Sequence, residues 1–166
     1  MEAWLRLDRA DAADAREWLG RCCGSTSWVE GMLARRPFRS REALLATARD
    51  IWLNLDRSDW LEAFSHHPKI GDRAALRQRF AATRHLSAKE QAGVESASEA
   101  TFTALAEANE EYEKKFGYIF IVCATGRSAD EMLGMLRARL MNDPEREIRI
   151  AADEQAEITA LRLLSL

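Results

Sequence analysis

The residues best suited to proton chemistry stand together in Phe64-Ser65-His66-His67-Pro68-Lys69-Ile70-Gly71-Asp72, which holds two of the chain's three histidines. An imidazole changes charge near neutral pH, so it can take a proton from a reacting group and return it. Pro68 cannot continue a helix, and it pushes His67 toward extended backbone. Gly71 admits backbone angles that other residues resist. The result is a rigid corner that aims one imidazole from a helix end. A Pro/Gly turn carrying two surface histidines has the same spacing, so the stretch marks a candidate only.

A second group of polar side chains follows in Ser87-Ala88-Lys89-Glu90-Gln91. Ser-x-x-Glu before a helix is the capping-box pattern, in which each side chain bonds the other residue's amide. That role accounts for Ser87 and Glu90 and leaves Gln91 without one.

The elements that must position these groups read as helices. Ala12, Ala15, Leu19 and Cys22 fall at helical spacing over residues 11–22 and make a first amphipathic helix ended by Gly24. Trp28, Val29, Met32 and Leu33 make a short second one, halted by Pro37. Ser40 is placed to cap a third, in which Ala43, Leu44, Thr47, Ala48, Ile51, Trp52 and Leu55 form a core stripe. Ser58 can cap the short helix of Trp60, Leu61 and Phe64 that delivers the chain to His67. Leu76 and Phe80 lie on the next, whose other faces carry Arg73, Arg77, Arg79 and Arg84. A long helix from about residue 88 to 115 turns Ala97, Phe102, Leu105, Ala106, Asn109 and Tyr112 inward. Ser128-x-x-Glu131 opens another, with Met132, Leu133, Met135, Leu136 and Leu140. Asp143-Pro144-Glu145 opens the last, carrying Ile148, Ala151, Ala152, Ile158, Leu161 and Leu164.

Between the long helix and Ser128 lies Tyr118-Ile119-Phe120-Ile121-Val122-Cys123-Ala124, aromatic and β-branched like a strand. No second strand is readable to pair with it. A buried extended segment near 118–124 threaded through helices is the expectation. Its backbone N–H and C=O groups then need other partners: a polar planar ligand, helix caps or water. The fold expected is all-α, one domain over 1–166 with about seven or eight helices.

The bulk numbers narrow the function classes. Hydrophobic residues make up 47% and charged residues 31%, as in an ordinary globular protein. No apolar run approaches the roughly 18 residues that span a bilayer, and the N-terminus lacks a basic-then-apolar leader, so a cytoplasmic protein without a membrane partner is expected. The formal charge of -3 argues against a nucleic-acid partner. Cys22, Cys23 and Cys123 have neither disulfide nor C-x-x-C spacing and are read as reduced thiols. A metal site from His66, His67 and these cysteines is not expected, because adjacent histidines rarely both reach one ion. A non-enzymatic helical binding module using the arginine-rich helix 73–84 is the alternative function.

Three motifs thus occur in order: His67-Pro68-Lys69-Ile70-Gly71, Ser87-x-x-Glu90-Gln91, and Asn109-x-x-Tyr112 leading to Phe116-Gly117-Tyr118-x-Phe120-Ile121. Together they resemble the 2-oxo-4-hydroxy-4-carboxy-5-ureidoimidazoline (OHCU) decarboxylase family over essentially the whole chain. His66 departs from that pattern, where the family often has a small residue such as alanine. The resemblance implies an all-α carboxy-lyase that needs no cofactor and no metal, is commonly a homodimer, and forms (S)-allantoin at the end of urate breakdown. It implies His67 and Glu90 as catalytic residues. Pro68, Ser87, Gln91 and the stretch Phe120, Ile121, Val122, Cys123 and Ala124 would bind the ureidoimidazoline substrate. The ending Leu164-Ser165-Leu166 is not the peroxisomal Ser-Lys-Leu signal, in keeping with a cytoplasmic protein of bacterial type.

Overall fold

Seven of the eight helices among the described residues are ones whose apolar periodicity is legible, and the extra one lies at the N-terminus. The computed structural model describes residues 1–68 and 88–166, with side chains described for 1–68 and 99–166. The arginine-rich stretch 73–84, Ser87, and the side chains of Glu90, Gln91 and Ala97 lie outside the described residues. The helices are α1 (Ala3–Arg9), α2 (Ala12–Cys22), α3 (Thr26–Ala34), α4 (Arg41–Leu53), α5 (Arg57–Ser65), α6 (Ala88–Phe116), α7 (Ala129–Leu140) and α8 (Pro144–Leu164). The described residues contain no strand.

Short polar side chains start most of these helices by accepting an amide that has no partner in the first turn. Asp11 accepts from the Asp14 amide at 2.8 Å, Ser25 from Trp28 at 3.2 Å, and Ser40 from Ala43 at 3.0 Å. Ser128 accepts from Glu131 at 3.1 Å, and Asp143 from Arg146 at 3.0 Å. The cap of α5 is Asp56, in a reciprocal box with Asp59, and not Ser58. An ionised carboxylate complements the positive helix end better than a hydroxyl does. Helix α1 goes unread in the sequence because it buries only Leu7, which leaves no stripe to detect.

The described residues fall into two compact units, Met1–His67 with Arg149–Leu166, and Pro68–Ile148. In the first, indole N–H groups stitch helices through backbone carbonyls. Trp28 donates to Ala48 O at 3.0 Å, Trp52 to Ala152 O at 2.7 Å, and Trp60 to Trp52 O at 2.9 Å. Each buried ring thereby adds a satisfied polar tip to a large apolar area. Helix α5 is tied to the start of α3 as well: Glu62 accepts the Thr26 amide at 2.6 Å, and Ser27 Oγ donates to Asp59 at 2.8 Å. These bonds fix the axis of the helix that ends at His66.

The second unit joins α6 to α7, where Thr101 Oγ1 donates to Asp130 at 2.7 Å. Phe102, Leu105, Ala108, Asn109, Tyr112 and Phe116 are the buried residues of α6 among those whose side chains are described; Ala106 is only half-buried. In α8 the sequence stripe drifts off the true one. Ile148, Ala151 and Ala152 are buried as read, but the interior then continues through Gln155, Ala156, Thr159 and Leu163. Leu161 and Leu164 are 42% and 38% exposed. The buried line passes through two polar residues, which a search for apolar periodicity steps around.

Candidate active site

Helix α5 reaches its end at the His66-His67 pair. The amides of His66 and His67 bond Ala63 O and Phe64 O, each at 3.2 Å, a tightened last turn that Pro68 cannot extend. The two imidazoles then have different surroundings. The His66 ring lies against the backbone of Gly24, where a Cβ would come within 2.6 Å of it. His67 is half-buried, and its Nε2 is hydrogen-bonded to Gln155 Oε1 of α8. Gln155 is fully buried, and its amide nitrogen donates to Thr159 Oγ1 at 3.0 Å.

This setting holds the His67 pKa below the ordinary imidazole range. Burial is the main cause, the bond to Gln155 opposes it, and the charges of Arg162 and His66 add to it. His67 is therefore neutral at physiological pH and able to accept a proton. The thiols behind it are inert: burial pushes Cys22 up to about 12 and Cys23 up to about 11. Among the described residues, no three His, Cys, Asp or Glu side chains cluster to hold a metal ion.

Of the other candidates, Pro68 is exposed, and Glu90 and Gln91 lie in the first turn of α6. Phe120, Ile121 and Val122 are buried on the extended segment of the second unit, and Cys123 and Ala124 are half-buried there. Gly117, at φ 83°, turns the chain out of α6 and into this segment.

Two arginines supply partners for two of its carbonyls. Arg139 Nη1 donates to Ile121 O at 2.6 Å, and Arg127 Nε donates to Cys123 O at 3.0 Å. Arg139 is itself buried, stacked 4.5 Å over the Phe120 ring, with its Nε on Glu147 Oε1 at 2.6 Å. Glu147, fully buried, also accepts from the Tyr112 hydroxyl at 2.7 Å and from Asn142 Nδ2 at 3.0 Å. Burial and the neighbouring carboxylate push the Tyr112 phenol far above its usual range, so it stays a donor. Tyr112 meets Phe120 edge-on at 5.4 Å between ring centres.

Sequence reading missed Gln155, Thr159, Arg139 and Glu147. The first two sit one helical turn apart, a polar pair inside the stripe of α8, and the only signal was that spacing. Arg139 and Glu147 read as ordinary surface charges of α7 and α8.

The family profile described as OHCU decarboxylase matches residues 8–164. The chain is 43% identical over 146 residues to the uric acid degradation bifunctional protein TTL of Arabidopsis thaliana, covering 87% of this chain and 45% of that protein. It thus spans less than half the length of that relative. It is 27% identical over 161 residues to the 2-oxo-4-hydroxy-4-carboxy-5-ureidoimidazoline decarboxylase of Haloferax volcanii, covering 95% of this chain and 90% of that one. A crystal structure of OHCU decarboxylase in the presence of (S)-allantoin superposes with a TM-score of 0.72 at 41% identity, over 90% of this chain and 96% of that one.

Proposed function

Since the chain belongs to the OHCU decarboxylase family, we propose that it converts 2-oxo-4-hydroxy-4-carboxy-5-ureidoimidazoline to (S)-allantoin and carbon dioxide in urate degradation. The observation that carries the reading is His67, a half-buried imidazole at a helix end with one nitrogen already bonded to Gln155, and burial lowers its pKa. The solved relative crystallised with (S)-allantoin supports the same product.

The chemistry asks little beyond proton handling. The substrate carries a hydroxyl and a carboxylate on one ring carbon, next to a carbon that bears the ureido group and a C=N bond. Breaking the C–COO⁻ bond sends its electron pair into a new C=C bond and displaces the C=N pair onto nitrogen, which takes a proton. The substrate is thus its own electron sink and requires no cofactor. The hydroxyl then loses its proton to become a carbonyl, and a proton is added to one face of the ureido-bearing carbon.

His67 takes the hydroxyl proton as general base. Glu90 accepts from the ureido N–H groups, and Gln91 offers both a donor and an acceptor. Ser87, Pro68 and the backbone of residues 120–124 complete the cradle. The enzyme acts in the cytoplasm as a homodimer; sedimentation of the purified protein checks the dimer, and cell fractionation the compartment.

The test generates the unstable substrate in place from urate and follows circular dichroism. Spontaneous decay leaves racemic allantoin and no lasting signal. The wild type should give a lasting signal of one enantiomer, and His67→Ala should reduce its rate by roughly 10²–10⁴. A wild-type trace that matches the blank rejects the decarboxylase reading.

A further inference from the structure

The polar chain behind His67 runs deeper than the imidazole needs for packing alone. Cys23, just past the end of α2, is fully buried, and Ser25 and Thr159 are among the groups that act on its thiol. The Gln155 amide nitrogen donates to the Thr159 hydroxyl oxygen at 3.0 Å. The side-chain amide has one donor end and one acceptor end, so its oxygen must face the other way. That oxygen meets Nε2 of His67. Two acceptors cannot share a hydrogen bond, so Nε2 carries the hydrogen.

We infer that Gln155 is a positioning residue for His67: held by Thr159, its amide fixes the imidazole in the Nε2–H form and leaves Nδ1 as the nitrogen that receives the substrate's proton. The inference rests on the decarboxylase reading for what the proton belongs to, but not for the tautomer. The bond from Nε2–H to Gln155 Oε1 is the same in the neutral ring and in the imidazolium. A proton therefore arrives and leaves at Nδ1 without any partner turning round. An uncharged amide also leaves the ring free to lose its proton, where a carboxylate would hold it charged. The other groups acting on the ring are Arg162 of α8 and His66 at the end of α5, both of which oppose its positive form.

The test reads the tautomer directly. In protein labelled with ¹⁵N-histidine, long-range proton–nitrogen correlations distinguish the two nitrogens of each neutral ring, and His67→Asn assigns the signal. The wild type should show His67 as the Nε2–H form. Gln155→Leu should mix the two tautomers and lower kcat/KM roughly tenfold. Gln155→Glu should keep the Nε2–H bond but raise the His67 titration, moving the pH dependence of turnover in the alkaline direction. Thr159→Val frees the amide to rotate and should mix the tautomers with Gln155 still in place. A purely structural Gln155 predicts that both Gln155 variants lose stability alike, with no shift of titration.

A wild-type His67 in the Nδ1–H form overturns the inference, as do variants that leave tautomer and titration unchanged. The nitrogen signals are read without substrate. A wild type lacking enantioselective turnover would therefore reject the decarboxylase reading while the tautomer still judged Gln155.

Discussion

The two units hold their key groups with opposite chemistry. His67 is backed by an amide and a hydroxyl, both uncharged, in its line of hydrogen bonds. The extended segment is backed by a buried ion pair, Arg139 with Glu147, closed by Tyr112 and Asn142. The difference follows from what each group has to do. An imidazole that must gain and lose a proton is best held by partners whose own charge stays fixed at zero, since a carboxylate would pin it in one state. A backbone stretch without a sheet has no reason to titrate. It gains from a planar, permanently charged guanidinium that reaches a carbonyl, a carboxylate and an aromatic face together.

The largest effect is expected at the buried ion pair. Glu147→Ala strands the Arg139 guanidinium and the Tyr112 hydroxyl in a dry interior. Removing one partner of a buried pair costs about 3–5 kcal/mol. Urea denaturation should register that loss, with protease cleavage near 118–124 in the variant. A loss below about 1 kcal/mol would mean that the pair is not what holds the segment.

A smaller effect should come from Gly24, which bears on the neutral half. Ala at this position brings a Cβ within 2.6 Å of the His66 ring, against a corner that Pro68 keeps stiff. The expected cost is about 1–3 kcal/mol, in the range of other overpacked sites. Thermal melting measures it, and His66→Ala in the same chain should restore much of the loss. Failure of the second change to rescue would show that His66 is not the clashing group.

How far each half was legible in the sequence depends on the kind of signal. Helices α2 to α8 announce themselves through capping residues and apolar spacing. The corner at His67 is marked by Pro68, and the absence of a strand partner already implied an unpaired segment at 118–124. What stayed hidden was the support behind these features. Gln155 and Thr159 are polar residues on a buried face, so periodicity in apolar residues passes over them. Arg139 and Glu147 lie eight residues apart on different helices, and a charged side chain is exposed far more often than buried. Helix α1 stayed hidden for the opposite reason, since it buries too little to leave a pattern. Sequence thus carried the local rules well, and the long-range polar contacts that hold the site were visible only in three dimensions.

If neutral His67 is the working base, the pH dependence of turnover must follow its titration. A group whose folded pKa is lowered by burial is neutral above that pKa and charged below it. Turnover should therefore rise with pH through a single step lying below the ordinary imidazole value of about 6.5, and then stay level through neutrality. The measured quantity is the excess rate of (S)-allantoin formation over the racemic blank, set beside the nitrogen titration of His67 in the same buffers. Coincidence of the two midpoints is the predicted result. A rate indifferent to the His67 titration, or one that falls as the ring loses its proton, would contradict it.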